Sequence, residues 1–334
     1  MFIEAFEDFL SSSCTPATVR AIEAGDAPDR LWQAISDMGF LELMGTEEQG
    51  GANLDLAETL PLLSLLGAYA VPLPIGQAIA LRSMLAPDDR VPEGVFTFAP
   101  AIGRQAEGGL LAPRVPFGAI AEHVVAELDG EIWLVDTHLA KRVTVDPGRD
   151  ATADLHWQDD IQGLGNRNAA RPIAQGREAG AIEAWGAALH AALMVGALGR
   201  CFELSLQYCN DRAQFGKSIG KFQAIQHQLA VMAEHVAAAR AAVSGAFPAG
   251  ERRPRWLPAA VAKARASEAV AVATSIAHAV HGAIGVTEEY DLQLFTRRLH
   301  AWRMAHGSEA YWHRAIGRAL LNSTDRVTDF VRGL

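Results

Sequence analysis

The sequence has no dense run of lysine or arginine, no basic leader, few cysteines and little aromatic content. Over 334 residues, 29 Lys and Arg stand against 39 Asp and Glu, a formal net charge of -10 with a pI near 5.6. No stretch is basic enough to track a phosphate backbone, so nucleic acid is not an expected partner. The first residues carry Glu4, Glu7 and Asp8 where a secretory leader would be basic. No apolar run reads as approaching the ~20 residues of a membrane span, so the expectation is a cytoplasmic protein with no membrane partner. Cys14, Cys201 and Cys209 are an odd number without metal-ligand spacing, which argues against a disulfide framework and against a zinc site. Cys201 and Cys209 fall on one predicted helix and read as small core residues. What is present is ordinary for a globular chain: 50% hydrophobic and 20% charged residues, enough for a sizeable core in two or three domains.

Hydrophobic spacing divides the chain into three stretches. Up to about residue 90 the pattern is helical: Leu31, Ile35 and Met38 recur at helical spacing, and Leu60, Leu63, Leu66 and Leu73 flank an expected break at Gly67 and the Pro72/Pro74 pair. From Val95 to Trp157 short alternating runs take over. His123–Leu128 and Glu131–Val135 are joined by Asp129-Gly130, a pair suited to a tight hairpin, and strands over 142–145 and 151–157 follow. Beyond Gly180 long helices return. Val195, Leu198, Phe202, Leu206 and Cys209 form one apolar stripe, and Phe222, Ile225, Leu229, Met232 and Val236 form a second. Residues 247–258, with Arg252, Arg253 and Arg255, read as a solvated connection. An alanine-rich helix over 259–279 and two more over 290–305 and 308–320 complete a bundle. The expected class is α+β, mainly α, with a helical domain at 1–92, a shortened antiparallel β-domain at 93–175 and a helical bundle at 176–334.

Two motifs in the bundle carry a family resemblance. Arg212-Ala213-Gln214-Phe215-Gly216 followed by Phe222-Gln223-Ala224-Ile225-Gln226-His227, and His281-Gly282-Ala283-Ile284-Gly285-Val286-Thr287-Glu288, resemble the R-x-x-F-G and G-G-x-G-x-T-x-E signatures of acyl-CoA dehydrogenases. Gly50-Gly51 after Glu47-Glu48, and Leu66-Gly67 before Pro72-Leu73-Pro74, are similar to landmarks of the first domain. The resemblance implies bound FAD, an acyl-CoA substrate desaturated between its α- and β-carbons, and an electron-accepting flavoprotein. It also implies that Arg212, Gln214, Phe215, Gly216, Gln223, Gly282 and Gly285 hold the cofactor, with Gly282 reaching the flavin of a neighbouring subunit in a dimer or tetramer. A guanidinium suits a pyrophosphate, and glycine permits close backbone approach. Each residue also has a plainer reading: Arg212 as a cation at a helix end, Gly216 and Gly282 as helix caps, Phe215 as core.

The sequence departs from the family where the chemistry sits. The glutamate that removes the α-proton, placed just before a glycine between the last two long bundle helices, is here His306 before Gly307. The alternative position for that base, on the first long helix, falls at Gly186, one turn from Glu183. The candidate bases are therefore His306, Glu183 and Glu309. The β-domain lacks the T-E-x-x-x-G-S-D-like cover of the flavin ring, Ala279 stands where a glutamine is common, and Ala310 lies near the last flavin contact. These losses resemble the truncated subunit of the heteromeric α2β2 acyl-CoA dehydrogenases of bacterial steroid side-chain degradation. That resemblance implies a paralogous partner subunit, or self-association, with this chain as the degenerate half. Gly186, Ala187 and Ala191 are expected to leave room for a bulky acyl group, and Trp302, Arg303 and Trp312 flank His306 either as pocket lining or as core.

Overall fold

A computed structural model describes residues 2–85, 89, 92–145, 151–173 and 180–333. Five helices come first: α1 Phe2–Ser13, α2 Pro16–Glu23, α3 Asp29–Asp37, α4 Leu56–Ala68 and α5 Ile75–Arg82. The β-region holds β1 Phe96–Phe98, β2 Gly103–Arg104, β3 Leu110–Val115, β4 His123–Leu128, β5 Glu131–Asp136, β6 Lys141–Thr144, β7 Ala153–Trp157, the short α6 Ile161–Asn166 and β8 Ala170–Pro172. The bundle follows as α7 Ala181–Asp211, the two-residue strands β9 Ala213–Gln214 and β10 Lys217–Ser218, α8 Gln223–Gly245, α9 Trp256–His281, α10 Leu292–Met304, α11 Glu309–Asn322 and α12 Val327–Arg332.

Among the described residues the strands form two four-stranded sheets, ordered β1-β4-β5-β8 and β2-β3-β7-β6, and a two-stranded β9–β10 ribbon. The Asp129-Gly130 hairpin closes as expected: both residues take positive φ, 54° and 78°, the conformation a two-residue turn needs to match strand twist. One pairing corrects the antiparallel expectation, because β1 runs parallel to β4. Long loops between them carry β2 and β3 into the second sheet, so β1 returns to β4 from the same end. The expected boundary at 175/176 lies outside the described residues.

The bundle is organised on α7, which contacts α4, α8, α9 and α10. Gly67 is not a helix break. It lies inside α4, where an added β-carbon would stand 1.9 Å from the Leu193 carbonyl oxygen, and one at Gly196 of α7 would stand 1.8 Å from that of Ser64. Two glycines thus bring the backbones of α4 and α7 into direct contact. α9 starts at Trp256, earlier than expected, because Arg255 already takes the extended N-cap conformation. The start of α9 lies by the start of α7, with Trp256 Cδ1 3.5 Å from a β-carbon built on Gly180, and the ends meet where Tyr208 stacks on His281 with ring centroids 4.5 Å apart. The two helices are therefore parallel.

Composition alone would let α7 and the Trp256–Val286 stretch cross a membrane, which corrects the reading of no long apolar run. In α7 the apolar window is 89% buried, so this is the central core helix, apolar on all sides because it is packed on all sides. Cys201 and Cys209 are buried as expected, whereas Met38 and Leu206 from the apolar stripes are exposed.

Gly67→Ala or Gly196→Ala is expected to destabilise the chain by about 3 kcal/mol or more in urea unfolding, through forced separation of α4 and α7. Gly317→Ala, in the interior of α11 with open space around its β-carbon position, should stabilise it by about 0.5–1 kcal/mol.

Candidate functional site

The two candidate base positions meet. A β-carbon at Gly186 would stand 1.9 Å from Nδ1 of His306, so the imidazole rests directly on the bare backbone of α7. The room expected over Gly186 for an acyl group is therefore taken by the chain's own histidine, and Ala187 and Ala191 are fully buried in the core. His306 holds a left-handed backbone (φ 50°) followed by Gly307 at φ 91°, and its carbonyl accepts from Trp312 Nε1 at 2.9 Å. Trp302 and Trp312 are core residues, as their plainer reading has it.

Behind His306 lie two more buried groups. Lys263 donates to Ser267 Oγ (3.2 Å), Arg303 O (3.0 Å) and Gly307 O (2.7 Å), which uses all three ammonium hydrogens and pins the α10–α11 connection. His190, one turn after Gly186, bonds the Gly186 carbonyl through Nδ1 at 2.7 Å, and its ring lies 5.0 Å from that of His306. Burial, reinforced by Lys263, lowers His190 to about 3. Burial, then His190 and Lys263, holds His306 well below the ordinary histidine range. Burial also lowers Lys263 to about 7, against the pull of Glu309. Both imidazoles are thus neutral, and the imidazolium that a proton-abstracting base must become is strongly disfavoured at this position.

Neither carboxylate replaces it. Glu309 is locked by a two-point pair with Arg303, chiefly a hydrogen bond, which holds it down to about 2. Glu183 accepts from Trp256 Nε1 at 2.7 Å and from the Tyr311 hydroxyl, so both of its oxygens are engaged. That hydroxyl bond, with burial, pushes Tyr311 up to about 12.

Beside Glu183 opens a cavity of about 630 Å³, lined by Ala181, Ala184 and Trp185 of α7 and by Arg252, Arg253 and Arg255. Glu251 also lines it, and none of the three guanidiniums pairs with a carboxylate among the described residues. Arg252 donates to Asn53 Oδ1 and the Met44 carbonyl, and Arg253 reaches Ser83 O at 3.3 Å, so neutral acceptors hold them in place. Both α7 and α9 begin here; the Glu127 carboxylate accepts from the Gly180 N–H at the start of α7 (3.0 Å), while α9 begins without a side-chain cap and adds its positive end. The indole N–H of Trp185 is buried without a partner among the described residues. This arginine segment, read from sequence as a solvated connection, instead forms an electropositive wall. Only the clustering of Arg252, Arg253 and Arg255, beside the single acidic Glu251, hinted at that.

The residues assigned to the cofactor lie at the other end. From Gly186 to Asp211 α7 advances 25 residues, about 38 Å at 1.5 Å per residue. There Phe215 and Gly216 form the tip of the β9–β10 hairpin, both at positive φ (51° and 81°), with Gln214 paired to Lys217. Gly216 is therefore a turn residue and no helix cap; the cap of α7 is Arg212 itself. Phe215 is 92% exposed, which overturns its reading as core. Arg212 and Gln223 are exposed beside it. Gly282 caps α9 at φ 63° and ψ -144°, a conformation only glycine adopts readily, with open space at its β-carbon position. Gly285 is buried, where a β-carbon would meet His281 Cβ at 2.9 Å. Ala279 and Ala310 are exposed.

The folded-state pKa of His190 lies below its ordinary 6.5, so between the two values the unfolded chain binds the extra proton and stability falls as pH falls. Between about pH 7 and about pH 5 the wild-type chain should lose about 2 kcal/mol more than a His190→Leu variant, measured by urea unfolding at each pH.

Residues 1–87 match the family of acyl-CoA dehydrogenase N-terminal domains, and residues 183–321 that of acyl-CoA dehydrogenase C-terminal domains. The chain is 32% identical over 314 residues to the acyl-CoA dehydrogenase IpdE2 of Mycobacterium tuberculosis, covering 90% of each. Its fold is similar to a chain of the ChsE4–ChsE5 complex from Mycobacterium tuberculosis, with a TM-score of 0.81 at 20% identity over 97% of both. It is also similar to the Tcur3481–Tcur3483 steroid ACAD, with a TM-score of 0.75 at 20% identity over 96% of both. From its first helix through the bundle, the chain belongs to the acyl-CoA dehydrogenase family.

Proposed function

We propose that this chain is a subunit of a heteromeric, FAD-dependent acyl-CoA dehydrogenase that desaturates a steroid-derived acyl thioester, and that its paralogous partner supplies the base. The observation that carries this reading is His306: a buried, neutral imidazole stands where the family's glutamate would be, and both nearby carboxylates are committed to other partners. A steroid-derived substrate is supported by the steroid ACAD among the similar folds. An assembly of paralogues is supported by the similarity to the ChsE4–ChsE5 complex.

The residues at the far end of α7 fit a flavin as half of a site. Arg212 is an exposed cation with no ion pair among the described residues, Phe215 projects into solvent, and Gly282 leaves open space beside the backbone. A flavin held there by Arg212, Gln214, Phe215, Gly216, Gln223, Gly282 and Gly285 would accept the β-hydrogen as hydride and pass electrons to another flavoprotein. These residues stand about 38 Å along α7 from His306, so one reacting centre needs the far end of one subunit and the near end of another. The arginine-walled cavity suits the phosphates of coenzyme A: Arg252, Arg253 and Arg255 and the N-terminus of α9 supply charge, while Trp185 and Ala184 supply an apolar side. We place the assembly in the cytoplasm.

In the complex assembled with its paralogous partner subunit, His306→Gln should lower kcat by less than about tenfold, whereas removal of a working base costs roughly 10²–10⁴-fold. A loss in the latter range would assign the base to this chain. Arg255→Glu, a change at an exposed side chain, should raise the Kd for acyl-CoA by roughly tenfold at low salt and by less at high salt.

A further inference from the structure

The segment that carries Arg252, Arg253 and Arg255 is fixed in place before any ligand arrives. Its backbone is stitched to the start of α4: the Gly250 N–H donates to Asp55 Oδ2 at 2.7 Å, and the Glu251 carbonyl accepts from the Leu56 N–H at 2.8 Å. Neutral oxygens hold two of its side chains, Arg252 through Asn53 and Met44 and Arg253 through Ser83. These bonds leave donors over on both guanidiniums, since each carries five N–H groups. Burial, and then the charge of Arg253, lowers Arg252, as expected of two cations held close. Ordering such side chains at the moment of binding is costly, and here they are already ordered.

The cavity stops short of the position of the base. Ala184 and Trp185 of α7 line it, whereas among the described residues neither Gly186 nor His306 does. Trp256 lines it too and packs on Trp312 with ring centroids 5.8 Å apart; Trp312 is fully buried and holds the His306 carbonyl. The imidazole resting on Gly186 closes the way from the arginines along α7. Charge divides the cavity in the same sense. Glu127 and Glu183 lie by Gly180 at the start of α7, and Glu251 is exposed, so phosphates are drawn to the arginines and away from α7. A volume of about 630 Å³ lies within the range of roughly 300–1,000 Å³ of sites for small organic ligands.

Building on the reading of the arginine wall as a coenzyme A phosphate site, we propose that this cavity is blind to the acyl group: it takes the phosphorylated nucleotide end of any coenzyme A species and leaves the acyl chain in solvent. Phosphate oxygens pair with the guanidiniums through charge-assisted hydrogen bonds, and Trp185 and Trp256 give the adenine an apolar surface. Selectivity then resides in the nucleotide alone, because no part of the cavity touches a thioester seated over Gly186. The heteromer carries two classes of coenzyme A site, the partner's, which engages the acyl group, and this one, which does not.

The test is isothermal titration calorimetry of the full chain at low salt with free coenzyme A, butanoyl-CoA and 5β-cholanoyl-CoA, and with butanoyl-pantetheine, which lacks the nucleotide. If the chain is insoluble alone, the heteromer is titrated with and without Arg255→Glu in this chain, and the difference between the two is assigned to this cavity. The three Kd values should agree within about threefold, Arg255→Glu should raise all three by the same factor, roughly tenfold, and butanoyl-pantetheine should not bind. Burial of either acyl chain would instead tighten binding by roughly tenfold or more over free coenzyme A. That result would overturn the acyl-blind site and leave the arginine wall as a coenzyme A site. No binding of any of the three, or binding unchanged by Arg255→Glu, would overturn both.

Discussion

The contact between the His306 ring and the bare backbone of Gly186 governs the chemistry available to this chain. Any side chain at 186 would displace the imidazole, and any β-carbon at 307, at φ 91° in the turn beyond it, would stand 2.7 Å from Tyr311 Cδ1 and 2.8 Å from Trp312 Nε1. Lys263 holds that turn by two backbone carbonyls, and Trp312 holds the His306 carbonyl. The result is a packed interior around His306. Burial, then the second imidazole of His190 and the buried Lys263, hold this ring well below the ordinary histidine range. The burial of His306 and the closure of the space above Gly186 are one structural feature.

The second constraint is length. Because α7 and α9 run parallel, every element at their N-termini gathers at the arginine wall, and every element at their C-termini gathers at the exposed hairpin tip and Gly282. The close contact of α4 with α7 at Gly67 and Gly196 makes that axis rigid, so the two ends cannot fold toward each other. The hairpin tip and the Gly186 end of α7 are therefore fixed about 38 Å apart along the helix, and in the proposed assembly association would bring the two kinds of end together. An exposed Phe215 on a type of turn that fixes its direction is what such an association leaves unsatisfied in a single chain.

Periodicity made the architecture legible: the Asp129-Gly130 hairpin closes as read, the two apolar stripes lie on α7 and α8 apart from the exposed Leu206, and the helix after the proline-rich connection is present but starts at Trp256. The parallel β1–β4 pairing was not legible, because it depends on where long loops carry the chain and leaves no local pattern. Gly67 looked like a helix break since glycine lowers helix propensity, and only the partner backbone at Leu193 explains it as a contact point. The departure at His306 was readable by position, but its burial was not. Nor was the convergence of Arg252, Arg253 and Arg255 on one cavity, which requires the starts of α7 and α9 to lie together.

The most direct test of the account is the visible absorption spectrum of the chain purified alone and co-expressed with a paralogous acyl-CoA dehydrogenase subunit from the same organism. The account predicts a colourless lone chain and a yellow, active complex that an acyl-CoA bleaches. Flavin bands in the lone chain, bleached by an acyl-CoA, would contradict it, because a complete site with its own base would then exist in copies of this chain alone.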